Sequence, residues 1–138
     1  NKHIGEKMIK ALIVIELMGS PKDHIQELMK AIVDNMKKEK DVKINKEHSS
    51  EVVEMKGFWS TFTEMEIEVN EIAKLIDISF DYMPSSIEIL EPEKIELDMQ
   101  YMTNFTNDLL ARLHKYDMLL KNFYAENKLL KDRVNSKK

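Results

Sequence analysis

The sequence predicts an α+β protein in which a small domain of strands and helices is followed by one long C-terminal helix. Apolar residues alternate along several short segments and recur at helical spacing in two segments between them. A heptad repeat then runs through the last third of the chain. With 138 residues, the chain has room for one compact domain and an extension.

The composition is typical of a folded protein, because 43% of the residues are apolar and 33% are charged. The chain has no cysteine, which excludes disulfides and thiolate chemistry and fits a reducing cytoplasm. Its longest apolar run, residues 11–18, is interrupted by Glu16 and is too short to span a bilayer. We therefore expect a cytoplasmic protein that has no membrane partner.

The chain begins with a buried-strand pattern over Met8–Met18, which ends at Gly19. Ser20 is the expected N-cap of the first helix, and Pro21 is its expected first residue. Apolar residues recur at helical spacing as far as Met36, which predicts that this helix ends in the lysine-rich segment 37–40.

The middle of the chain predicts two strand-forming segments and a second helix. Residues 42–55 carry strand-forming residues around a polar stretch, and Lys56 and Gly57 signal a turn. Phe58–Val69 alternates apolar residues with glutamates, the pattern of a half-buried strand. Asn70 is the expected N-cap of a short helix over residues 72–80.

The second helix is broken at residues 84–86, and residues 87–90 form a last short strand. Pro92 ends this strand, and the long helix is expected to follow it directly. We therefore predict two domains, an α+β sandwich over residues 1–92 and a helical oligomerisation arm over residues 93–138.

The element order β-α-β-β-α-β over residues 8–90 resembles the ferredoxin-like, or split βαβ, superfold, in which both helices lie on one face of the sheet. Within this superfold, the regulatory ACT-like domains are similar in size. Such domains commonly carry an Asp and a Gly at the first strand–helix turn, where effectors such as amino acids bind. Here Gly19 takes the place of the glycine, and Glu16 is the acidic residue nearby. The resemblance implies a small-molecule-binding regulatory module as one function.

The heptad repeat of the last third predicts self-assembly. No Gly or Pro interrupts it, and an apolar seam of about five heptads needs a partner. We therefore expect a homo-oligomer, at least a dimer, whose interface comprises Met99, Met102, Leu109, Leu113, Tyr116, Leu120, Phe123, Asn127, Leu130 and Val134.

Residues beside the seam bear on how the helices associate. The seam residues lie at the a and d positions of the heptad, with Met99 at a and Met102 at d. In this register, Arg112 at g precedes Asp117 at e by five residues, and Glu126 at g precedes Lys131 at e by the same spacing. Such g and e residues face each other in parallel helices. Asn127 lies at an a position, where a polar residue can fix register and oligomer state. The other e and g positions include apolar residues, namely Phe105, Leu110, Leu119 and Tyr124. Either a bundle of more than two helices or packing on a sheet would use this wider apolar face.

Charge is distributed unevenly along the chain. Residues 112–138 contain eight Lys and Arg against three Asp and Glu, a net charge of +5, whereas residues 1–111 carry −9. The basic tail, which ends at Lys138, either complements the helix dipole or meets an acidic surface. The net negative charge of the whole chain disfavours nucleic acid as a partner, and a nucleic-acid accessory role through the basic tail is a further alternative.

Glutamates define a second candidate surface. Strand pleating places Glu16, Glu66 and Glu88 on the face of the sheet opposite the helices, with Lys43 at its far edge. In the expected strand order they are neighbours, so they would form a cluster that binds a cation or a basic partner. The alternative is an ordinary solvated face.

The sequence contains no pattern that predicts a catalytic, metal or cofactor site. His3, His24, His48 and His114 share no metal-ligand spacing, and the serine pairs lack a neighbouring base. We therefore expect a non-enzymatic interaction or scaffold protein without a cofactor, which binds itself and in some settings another protein. The ACT-like regulatory module is the alternative.

Overall fold

The computed structural model describes residues 8–137, so His3 and Lys138 lie outside the described residues. It confirms the predicted order of elements, with one additional short strand. In chain order they are β1 (Ile9–Gly19), α1 (Lys22–Lys37), β2 (Val42–Ser49), β3 (Val53–Met55), β4 (Phe58–Val69), α2 (Ile72–Tyr82), β5 (Ser86–Glu91) and α3 (Met99–Ser136).

The strands form one antiparallel sheet in the order β2-β4-β1-β5, and β3 pairs with β4. This confirms the α+β, ferredoxin-like sandwich followed by a long helix. Alternate residues of β1 and β4 are buried, including Ala11, Ile13 and Ile67, which are fully inaccessible. They form one core with Met29, Val33 and Met36 of α1 and with Leu75 and Ile78 of α2.

The segment 42–55 forms two strands rather than one, because a polar stretch separates β2 from β3. A two-residue turn joins β3 to β4, and both of its residues, Lys56 and Gly57, have positive φ angles. This is the backbone that a tight hairpin requires, and glycine adopts it without steric cost. The predicted turn is therefore confirmed.

The helix starts differ from the sequence predictions. The N-cap positions are Pro21 and Glu71 rather than Ser20 and Asn70, and neither makes a side-chain capping hydrogen bond. The long helix does not follow Pro92 directly, because it begins at Met99. There the Asp98 carboxylate accepts a hydrogen bond of 2.7 Å from the backbone N–H of Tyr101, which satisfies a donor that the first helical turn leaves open.

The chain divides into two compact units between Glu96 and Leu97. The first, here called the α+β unit, contains the sheet, α1 and α2. The second contains α3, whose 38 residues extend about 57 Å at a rise of 1.5 Å per residue. No helix within residues 8–137 is both long and apolar enough to cross a membrane.

Candidate assembly interface

All ten residues of the predicted interface lie on α3, which is one uninterrupted helix. Because residues three and four apart share a helix face, the alternating spacing from Met99 to Val134 places these side chains along one stripe. We call this stripe the α3 seam. It consists of Met99, Met102, Leu109, Leu113, Tyr116, Leu120, Phe123, Asn127, Leu130 and Val134.

Much of the α3 seam is exposed to solvent. No residue of α3 is buried, and Leu120 and Phe123 leave 67% and 63% of their surface accessible. The neighbouring seam residues Leu113, Leu130 and Val134 are also exposed. Monomeric proteins rarely leave contiguous apolar patches of this kind uncovered, so the stripe has the character of an interface.

Charged residues flank the α3 seam. The Asp117 carboxylate forms an ion pair of 2.9 Å with Lys121 one turn further along the same helix. Both side chains are more than half exposed, so this pair contributes little stability. Asp117 therefore loses little if it turns instead toward a charge on a neighbouring helix.

The glutamates of the predicted acidic face share one face of the sheet but are not the neighbours we expected. Glu66 and Glu88 both lie opposite Leu12, one on each side, so an apolar residue separates them. Glu16 lies opposite Phe62, four residues further along β1. The alternation of apolar and acidic residues along a strand predicts which face of the sheet each glutamate occupies. Which glutamates are neighbours depends on the register between paired strands.

Basic and amide groups accompany the glutamates on this face of the sheet. Lys43 on the edge strand β2 lies opposite Glu68, as does Lys10 on β1. Asn45 lies at an irregularity in the pairing of β2, and its amide donates hydrogen bonds to Glu66 at 3.1 Å and to Glu68 at 2.6 Å. Among the described residues, no group of three or more His, Asp and Glu is arranged to hold a metal ion.

A groove of about 700 Å³ is lined by α1, by the end of β2 and by the residues that follow β2. Its lining includes Lys22 and Lys30, together with the hydroxyls of Ser49, Ser50 and Thr61. The Ser50 and Thr61 hydroxyl oxygens are 3.1 Å apart and form a hydrogen bond. Because Asp34, Glu47 and Glu51 also line the groove, it combines charges of both signs with neutral hydrogen-bonding groups, a combination suited to a small polar molecule.

Close packing explains why a glycine occupies position 19, at the first strand–helix turn. A Cβ atom there would lie 3.1 Å from the Cδ1 atom of Ile25 on α1. That contact is tighter than ordinary van der Waals packing, so glycine allows the start of α1 to approach β1 closely.

A polar cluster that no sequence pattern indicated lies between the end of α1 and α2. Glu39 accepts hydrogen bonds from the Tyr82 hydroxyl at 2.7 Å and from the Lys74 ammonium at 3.0 Å. The bond from Tyr82, with that from Lys74, lowers the pKa of Glu39 below its ordinary value. Burial and the bond to Glu39 raise the pKa of Tyr82 above its ordinary value. These residues are 35 and 43 positions apart from Glu39, so only the fold unites them.

The sequence profile of the MJ0538 family matches residues 10–138, which include the α+β unit from β1 onward and all of α3. The chain therefore belongs to the MJ0538 family. Neither the search of curated proteins nor the search of solved structures finds a significant match.

Proposed function

We propose that this MJ0538-family protein is a non-catalytic, self-assembling interaction protein. In this proposal α3 joins copies of the chain through the α3 seam, and the α+β unit presents a surface to other molecules. The observation that carries the proposal is the continuous stripe of exposed apolar side chains on a helix of 38 residues.

The size of the stripe supports a second copy as its occupant. Fully burying a Leu or Phe side chain contributes about 1.5–3 kcal/mol. Six seam residues are each roughly half exposed, so two copies gain on the order of 10–20 kcal/mol from burying them. The loss of translational and rotational freedom on association costs about 4–15 kcal/mol, so the gain is comparable with this cost or larger. The six residues are Leu113, Tyr116, Leu120, Phe123, Leu130 and Val134.

Two neighbouring leucines provide a matched test of this proposal. Leu130 belongs to the α3 seam, whereas Leu129 lies at a c position outside it, and they are similarly exposed at 57% and 60%. We expect Leu130→Glu to lower the oligomer mass measured by light scattering, because it places a charge within the interface. Leu129→Glu introduces the same charge beside it and should leave the mass unchanged. Equal masses for both variants would contradict the proposed interface.

A second candidate function is an ACT-like module that binds a small molecule, and the groove beside α1 favours it. Lys22, three residues after Gly19, lines this groove with Lys30 and the hydroxyls of Ser50 and Thr61. A thermal-shift screen with amino acids and nucleotides would separate the two functions. A ligand that raises the melting temperature of the protein, but not of a Lys30→Ala variant, would support the regulatory module.

A further inference from the structure

We propose that the copies associate through α3 in parallel and in register, so that each residue of the α3 seam meets the same residue of its partner. This inference rests on the proposed self-assembly and adds the orientation of the partner. It comes from the residues at the g and e positions beside the seam. In parallel helices, each g position faces the e position five residues further along the partner.

Every central g–e pair in this arrangement is matched in character. Phe105 faces Leu110, and Leu119 faces Tyr124, so two pairs are apolar on both sides. One pair of opposite charge lies between these apolar pairs, and a second lies on their C-terminal side. The complete order along the helix is Phe105 with Leu110, Arg112 with Asp117, Leu119 with Tyr124, and Glu126 with Lys131.

The alternation of apolar and ionic pairs accounts for the wide apolar face of α3. Leu110, Leu119 and Tyr124 are exposed, at 47%, 41% and 76% of their surface. An interface confined to the a and d positions would leave such side chains in water. The g–e contacts of parallel helices cover them with apolar partners. The charged pairs supply orientation, because a shift by one heptad would place Arg112 against Tyr124 and Leu119 against Lys131.

The antiparallel arrangement also pairs Leu110 with Tyr124 and Arg112 with Glu126, but it brings like charges together at its centre. There, e positions face e positions, and g positions face g positions. If two copies of α3 are aligned antiparallel about their midpoint, the two Asp117 carboxylates face each other, and like charges at such positions destabilise the pair. Parallel alignment also brings the basic C-terminal ends together, but salt screens exposed charges beyond about 10 Å at 0.1 M, and the apolar pairs are unaffected by it.

The absence of cysteine allows a direct measurement of orientation. Two single variants of the full chain, Met118→Cys and Asn135→Cys, carry a spin label near the midpoint of α3 and near its C-terminus. Both positions lie outside the α3 seam, at f and b positions. Label-to-label distances are then measured by pulsed electron paramagnetic resonance.

For the parallel, in-register arrangement we expect short distances of about 20–30 Å at both sites, from helix axes about 10 Å apart and the helix radii. A short distance for Met118→Cys with about 50 Å for Asn135→Cys indicates antiparallel helices and overturns the inference, while leaving self-assembly intact. Distances lengthened equally at both sites indicate a staggered register and also overturn it. If neither label couples to a second one, self-assembly itself fails, and the inferred orientation fails with it.

Discussion

The α+β unit and α3 place their apolar residues in opposite ways. In the α+β unit, alternate residues of β1 and β4 and the inner faces of α1 and α2 share one core, where Ile13 and Ile67 are fully inaccessible. In α3 no residue is buried, although its apolar side chains are as regularly spaced as those of the strands. Regular apolar spacing therefore signals burial in both regions, but only the α+β unit achieves it within the described chain.

This difference indicates that the two regions have separate tasks. The free energy of folding of the α+β unit comes from burial inside one chain, whereas in the proposed assembly the apolar surface of α3 would be buried by association. Changes in the two regions should therefore affect different observables, melting temperature in one case and mass in the other.

Removing α3 should have the largest effect. A chain truncated after Glu96 retains every residue of the buried core, because that core spans Ile9 to Ile78. We expect it to have the mass of one chain while keeping the strand and helix signals of the α+β unit in circular dichroism. Loss of the folded signal on truncation would show that the two regions are not separable.

The polar residue of the α3 seam should have the next largest effect. Asn127→Leu replaces an amide that would be buried between helices, so we expect a gain of about 1–2 kcal/mol in the stability of the assembly. The same change removes the preference for one register and should broaden the mass distribution seen by light scattering. Asn122→Leu, at a position outside the seam, is the control. If Asn127→Leu leaves both mass and melting temperature unaltered, that part of the seam is not an interface.

The polar cluster of the α+β unit gives an effect of about 1 kcal/mol. Tyr82→Phe removes the hydrogen bond to Glu39 and should lower the free energy of unfolding by that amount, with no change in mass. Urea titrations of the natural chain and of the variant would measure this difference, and equal stabilities would contradict the role of the cluster.

The pH dependence of the same cluster has a defined sign. The pKa of Glu39 is lowered in the folded chain, so its contribution to stability is present above the ordinary carboxyl pKa and is lost as pH falls through the folded value. The pKa of Tyr82 is raised, so its contribution is present below its ordinary pKa of 10.0 and is lost as pH rises above it. Melting curves across pH should show both losses in the natural chain and smaller ones in Tyr82→Phe.

The smallest effect should come from the face of the sheet opposite the helices. Glu68 lies opposite Lys43 and Lys10 and accepts a hydrogen bond from Asn45. We expect Glu68→Gln to lower the stability by a few tenths of a kcal/mol up to about 1 kcal/mol, because it removes a negative charge between positive ones. Glu16→Gln, opposite Phe62, should have less effect on the melting temperature. A higher melting temperature for Glu68→Gln would mean that the negative charge is not compensated.

The elements that repeat a strong local pattern could be predicted from the sequence. Phe58–Val69 has the predicted bounds because its apolar and acidic residues alternate without interruption, and β1 is shifted by one residue. The heptad predicted α3 for the same reason. The N-caps of α1 and α2 lie one residue beyond the predicted Ser20 and Asn70, at Pro21 and Glu71, which make no side-chain capping hydrogen bond.

Features that depend on distant pairing could not be predicted. The irregularity at Asn45 and the position of Leu12 between Glu66 and Glu88 follow from register, which one strand alone does not specify. The cluster of Glu39, Lys74 and Tyr82 likewise exists only once α2 packs beside the end of α1. For the candidate interface, the sequence specified which residues share the seam, and the structure added that no residue of α3 is buried.

The most direct test of self-assembly is the mass of the unmodified full-length protein, measured by light scattering over a range of micromolar concentrations. The exposed seam predicts a mass of two or more chains, which falls toward one chain only on dilution. A mass of one chain at every concentration would contradict the account, because the apolar stripe of α3 would then remain in water.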